Sequence, residues 1–215
     1  MRLRTLAAAG LVAALAGCGL GSLVKREPTP GIREGTWAEV RGAATRRGSI
    51  YDGLEHRASA TATFLGPAER EARARRLGQW LGWTPDELEK RLQQERTEAA
   101  QGEEFLLAFY TADEKANDLD SPRTVWRVAV EADEGELLPS RIQALETDTT
   151  IMGLYPYVGG FDTVYRVRFP PSPKGPLEGR MFALEIASAL GRIDLAYGGP
   201  TVLGPDRPLE RSSER

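Results

Sequence analysis

The chain has 215 residues, with 28 Lys and Arg against 31 Asp and Glu, one His and one Cys, and a formal charge of −3 at neutral pH. That length suits one domain able to bury a core without covalent staples, and a lone cysteine cannot supply an internal disulfide. The near balance of charge provides no basic surface for nucleic acid, and one histidine with no second cysteine leaves too few of the usual ligands for zinc.

Met1-Arg2-Leu3-Arg4 carries two positive charges, and Thr5 through Leu15 is an apolar run followed by small residues. A basic start, a short apolar middle and small residues before a cut site describe a secretory signal peptide. The run is shorter than the roughly 20 apolar residues that a bilayer-spanning helix takes. Leu15-Ala16-Gly17-Cys18 then resembles the lipobox of bacterial lipoproteins. This resemblance covers the leader alone. It implies diacylglyceryl transfer to the Cys18 thiol, cleavage before Cys18, acylation of the new amino terminus and a place in the bacterial envelope. One acyl chain holds a protein only marginally, whereas two or more hold it stably. Gly19 stands where an aspartate would favour inner-membrane retention in the enteric lipoprotein class, which points to the outer membrane. Loss of residues 1–17 removes Arg2 and Arg4 and takes Lys and Arg from 28 to 26 against 31 acidic groups, a formal charge of −5.

Residues 18–36 read as a lipidated tether, because Lys25-Arg26-Glu27-Pro28-Thr29-Pro30-Gly31 is polar and its prolines favour extended backbone. Residues 200–215 are polar without apolar periodicity and read as a disordered tail. Between them, 37–199 reads as a mainly β (α+β) domain. In 161–169, Phe161, Tyr165, Val167 and Phe169 alternate with Asp162, Arg166 and Arg168, the period of two of a half-buried strand. Trp126, Val128 and Val130 repeat it, then a turn at 132–136 leads into a strand over Leu137–Leu145. Phe182, Leu184 and Ile186 make another set, and Gly191-Arg192 turns the chain into Ile193, Leu195 and Tyr197 as a terminal hairpin. Phe105 to Tyr110 is apolar on both faces and suits a central strand. Ala58 to Leu65 suits a strand with one thin face.

One region breaks the β pattern. Pro67 opens a helix striped by Ala74, Leu77 and Leu81, with Glu69–Arg73 and Glu71–Arg75 as i,i+4 pairs. Thr84-Pro85-Asp86-Glu87 matches a capping box, with Leu88 and Leu92 along the helix it starts. The expectation is an αα-hairpin over about 67–101, laid on the sandwich as a lid. Short strands with regular turns predict an antiparallel immunoglobulin-like β-sandwich, with a closed lipocalin-like barrel as the alternative.

The candidates for chemistry are few. Any Ser-His-Asp site must use His56, which has no nucleophile-elbow pattern near it and reads as a strand-start residue. Asp113, Asn117, Asp118 and Asp120 offer oxygen ligands for calcium but lack the EF-hand order, and Asp and Asn favour turns on their own account. Tyr155, Pro156 and Tyr157 lie in an aromatic loop over 151–160, either a partner-binding surface or rings that close one end of the core. Trp80 and Trp83 either pin the hairpin to the sheet or form an interfacial foot near lipid. The sequence therefore predicts a non-enzymatic protein without cofactor or metal, attached to the membrane through a lipid on Cys18, with an envelope protein as partner. Two further readings are a carrier of an apolar small molecule or lipid, with a cavity lined by Phe105, Phe109, Trp126 and Tyr165, and a hydrolase with paired carboxylates.

Overall fold

The computed structural model describes residues 36–198; the leader, Cys18 and the 200–215 tail lie outside them. The chain runs through α1 (Thr36–Ala44), β1 (Thr45–Asp52), β2 (Glu55–Phe64), α2 (Pro67–Leu81), α3 (Pro85–Ala99) and β3 (Glu103–Thr111). It continues through β4 (Arg127–Ala132), β5 (Gly135–Leu137), β6 (Arg141–Leu145), α4 (Thr149–Leu154), β7 (Thr163–Phe169), β8 (Phe182–Ser188) and β9 (Gly191–Tyr197). Thr36, read as the last tether residue, is the first residue of α1.

The fold is mixed α+β, with two antiparallel sheets in the order β1-β2-β3-β7-β6 and β5-β4-β8-β9. Alternation along the strands supplies the core between the sheets. Phe105, Leu107 and Phe109 of β3 and Tyr165, Val167 and Phe169 of β7 meet Val128, Val130, Leu184, Ile186, Ile193 and Leu195. The thin face of β2 is Ala58, Ala60 and Ala62, all fully buried. Small side chains there let the second sheet close in, and so does Gly48 on β1, where a Cβ would lie 2.6 Å from Ile193 Cγ2. A second core fills the opposite face of the first sheet. Leu106 and Val164 point outward from β3 and β7 and meet Trp37 of α1, Leu154 of α4 and Tyr155. Strand β3 is therefore buried on both faces, as its continuous apolar run requires.

Helices α2 and α3 start and stop as their residues dictate. Pro67 occupies the first turn of α2 and Gly82 ends it in the left-handed conformation at φ 66°. The capping box at α3 is formed: Thr84 Oγ1 accepts from Glu87 N, and Glu87 Oε2 accepts from Thr84 N at 2.8 Å. Arg73 approaches Glu69 at 3.5 Å and Arg75 approaches Glu71 at 2.7 Å, the two anticipated pairs.

Three expectations need correction. The strand anticipated over Leu137–Leu145 is two, β5 and β6, which join different sheets. Pro139 lies between them, and a residue without an N–H cannot continue a ladder. Phe161 was assigned to the buried face but is 86 % exposed. Asp162 Oδ2 accepts from Gly159 N at 2.7 Å, a turn that delays strand entry to Thr163. The aromatic loop begins as a helix: Asp148 Oδ1 caps Ile151 N at 2.7 Å, which starts α4.

Candidate functional site

The densest chemistry lies where α2 and α3 cover the outer face of the first sheet. Arg70 on α2 is 3 % exposed. Its Nε donates to the Leu65 carbonyl at 2.8 Å, its Nη1 to Glu95 Oε2 at 2.9 Å, and its Nη2 faces Glu104 Oε2 at 3.1 Å. Glu95, on α3, also takes Arg73 at 3.1 Å and Arg91 at 2.5 Å. Glu104, on β3, also takes Arg168 at 2.8 Å and Arg166 at 3.1 Å. Register explains this second convergence: Glu104 pairs with Arg168 across the β3–β7 ladder, and Arg166 lies two residues along the same face. Arg70 thus bridges helix to helix and helix to sheet.

Glu69 behaves differently. It is 2 % exposed, its Oε1 accepts from Tyr155 Oη at 2.6 Å, and its Oε2 has no hydrogen-bond partner among the described residues. Burial raises its carboxyl above the ordinary range, although Arg73 and the tyrosine hydroxyl pull the other way. Burial likewise pushes the Tyr155 hydroxyl well up, helped by the neighbouring Glu69. At Glu95 burial is outweighed by Arg73, Arg70 and Arg91, and its carboxyl is held below the ordinary range. The two carboxyls therefore contribute opposite slopes. Glu95 stabilises the fold above the unfolded carboxylate value of about 4.3, and that stabilisation is lost as pH falls through its depressed folded value. Glu69 keeps its proton in the fold to higher pH than in the unfolded chain, so its contribution weakens as pH rises from about 4.3 towards its raised folded value.

A cleft of about 420 Å³ opens beside this network, between the start of α2 and the end of α3. Leu65, Pro67, Ala68, Leu92, Ala99 and Pro176 supply apolar lining, and Arg70, Glu71, Glu95, Arg96 and Glu103 the charged lining. Three of these charged groups are committed to internal bonds: Glu103 Oε1 accepts from Leu177 N at 3.0 Å, and Arg70 Nη1 donates to Glu95 Oε2. A smaller cleft of about 260 Å³ lies beside α1, lined by Val40, Ala44, Phe64, Glu69 and Tyr197 among others. The Arg70–Glu95 pair fastens α2 to α3.

No family model, no curated protein and no solved structure matches the chain.

The structure separates the residues singled out in the sequence. Tyr155 is 3 % exposed, with its ring edge-on to Trp37 at 5.8 Å. Tyr157 is half-buried and shares a 2.8 Å hydrogen bond with Thr63 Oγ1, while Pro156 is exposed. The two rings therefore pack inward and leave Pro156 outside. His56 sits on the outer face because Arg57 is an extra residue in the β1–β2 ladder, a bulge that re-aims the side chain. Its ring stacks between Tyr51 at 4.9 Å and Tyr110 at 5.2 Å, close to the spacing of neighbouring strands. In the acidic loop, Asp113 Oδ1 accepts from Lys115 N, Asn117 Nδ2 donates to the Phe109 carbonyl, and Asp120 Oδ2 accepts from Ala144 N. These are turn and anchoring bonds. Phe109 and Trp126 meet edge-on at 5.0 Å, Trp126 Nε1 donates to the Ala116 carbonyl, and Tyr165 Oη donates to the Asn117 carbonyl. Together with Phe105 they are core residues in mutual contact, and both clefts are lined by other side chains.

Sequence reasoning missed Glu69, Arg70, Glu95 and Glu104 as a group. The available signal was charge where helix stripes and a central strand should be apolar, but only the fold shows which charges meet.

Proposed function

We propose that the chain is a bacterial lipoprotein: a non-enzymatic envelope protein held through a lipid on Cys18, with a binding or structural role in an envelope assembly. The observation that supports it most is Leu15-Ala16-Gly17-Cys18 directly after a basic, apolar leader. Gly19, in place of an aspartate, favours the outer membrane, and the partner is another envelope protein. The sandwich is read as immunoglobulin-like, and its two antiparallel sheets of five and four strands support that reading by count with the nine-stranded variable type, not the seven-stranded constant type. Helices α2 and α3 are read as its αα-hairpin.

The test is fractionation of cells expressing the full chain. Wild type is expected in the membrane pellet, and Cys18→Ala in the soluble fraction, because without the thiol no acyl chain can be attached. Cys18→Ala remaining in the pellet after a high-salt wash contradicts the reading.

The cleft between α2 and α3 favours a second reading, a carrier of an apolar small molecule or lipid. Its 420 Å³ lies within the size range of small-ligand sites. On that reading the ligand lies under the helices and not among the core aromatics.

A further inference from the structure

Trp80, Leu81 and Met152 are 39 %, 64 % and 46 % exposed, large apolar side chains at one pole of the domain. They come from two helices that meet at the Trp80 ring. Trp80 and Leu81 end α2, and the Trp80 ring abuts α4 so closely that a Cβ on Gly153 would lie 3.1 Å from Cη2. Met152 immediately precedes that glycine on α4. The ring is also held from α2 itself, where the Arg76 guanidinium lies 4.8 Å from its centroid. The patch is thus preformed and its tryptophan is half outside.

The described chain begins at the same pole. Trp37, the second residue of α1, packs edge-on to Tyr155 just after α4, and Arg41 Nη1 donates to the Leu154 carbonyl at 3.0 Å. Residues 19–35 separate that point from Cys18. Even fully extended they reach no more than about 60 Å, at ~3.6 Å per residue. Tethering converts a second contact at this pole into an intramolecular event, so a weak patch suffices. Three side chains fall far short of the roughly 800 Å² per partner that a stable protein pair buries. Tryptophan, in contrast, is favoured at the level of lipid headgroups, with aliphatic neighbours below it.

We propose that Trp80, Leu81 and Met152 form a membrane-interface foot that lays the α2–α4 pole on the lipid surface and so fixes how the domain faces away from it. This rests on the reading of Cys18 as the anchor.

The test couples a maleimide lipid to Cys18, the only cysteine, and places the purified full chain on phosphatidylethanolamine–phosphatidylglycerol vesicles carrying lipids brominated close to the headgroup. The coupling is independent of acylation in cells, so failure of the foot and failure of the anchor are read separately, the latter by the Cys18→Ala fractionation. Tryptophan fluorescence of the wild type is expected to be quenched on the vesicles, and in a Trp83→Phe background, which removes the half-buried tryptophan just past the same helix, Trp80→Phe is expected to lose at least half of the remaining quenching, since Trp37 and Trp126 are 3 % and 5 % exposed. Leu81→Ser with Met152→Ser, which keeps the fluorophore, is expected to reduce the quenching at least twofold. Unquenched wild type, or quenching that Trp80→Phe leaves intact, overturns the proposal. So does a dimer in size-exclusion chromatography that Leu81→Ser with Met152→Ser dissociates, which would assign the patch to a second copy.

Discussion

Glu104→Gln is expected to destabilise the domain by about 3 kcal/mol, the low end of the ~3–5 kcal/mol that follows when one partner of a buried ion pair is removed. Its carboxylate takes Arg70, Arg166 and Arg168, and the glutamine that replaces it matches the shape without the charge. The low end applies because the demands are unequal. Arg166 and Arg168 are 45 % and 37 % exposed and can turn to water, while Arg70, 3 % exposed, keeps Glu95 as a second partner. At ~2–4 °C per kcal/mol for a domain of this size, the melting temperature should fall by about 6–12 °C. Arg166→Gln removes a half-exposed partner from the same carboxylate and should cost no more than about 1 kcal/mol. Thermal and urea unfolding check both. Equal effects from the two variants would mean that Arg70 is not what joins the helices to the sheet.

The second large effect is expected at Tyr155. Tyr155→Ala should cost about 3–5 kcal/mol, as other buried aromatic truncations do, because the ring is 3 % exposed against Trp37, Leu106 and Val164. Tyr155→Phe keeps the ring and removes the hydroxyl that donates to Glu69, and should cost about 1–3 kcal/mol, because the buried carboxyl then keeps only Arg73 at 3.5 Å. Pro156→Ala, at the exposed tip, should move the melting temperature hardly at all. This order separates a core role from a partner-binding one. A binding loop would lose capture of its partner with Tyr155→Ala while its melting temperature stayed within a degree or two.

How much of this was legible in the sequence follows from the range of the forces involved. Helices α2 and α3 could be read because their signals are local: Pro67 at a first turn, Thr84 and Glu87 closing a capping box, and two glutamates four residues before arginines. Strands β3, β7, β8 and β9 could be read because a half-buried or buried strand writes its environment into alternate positions. Helix α1 escaped, with only Thr36 falling in the tether and no element read over 37–44, since Trp37 is its one buried side chain and Gly42 breaks any stripe. Strand β1 escaped because Arg46, Arg47 and Gly48 carry no apolar alternation. Gly48 is there for close approach to β9, and only the neighbouring strand reveals that. The ionic network escaped for the same reason. Glu104 meets Arg168 through a register that no single segment encodes, and Arg70 meets Glu95 through the fold of one helix on another. The proposal for Cys18 rests on the sequence alone, within its first eighteen residues.

The central claim is an acylated Cys18, and the most direct measurement is the intact mass of the chain extracted from membranes of bacteria expressing the full sequence. A species beginning at Cys18, heavier than residues 18–215 by a diacylglyceryl group and an amino-terminal acyl chain, is the predicted result. A species of residues 1–215 with an unmodified thiol, recovered from the soluble fraction, would contradict it.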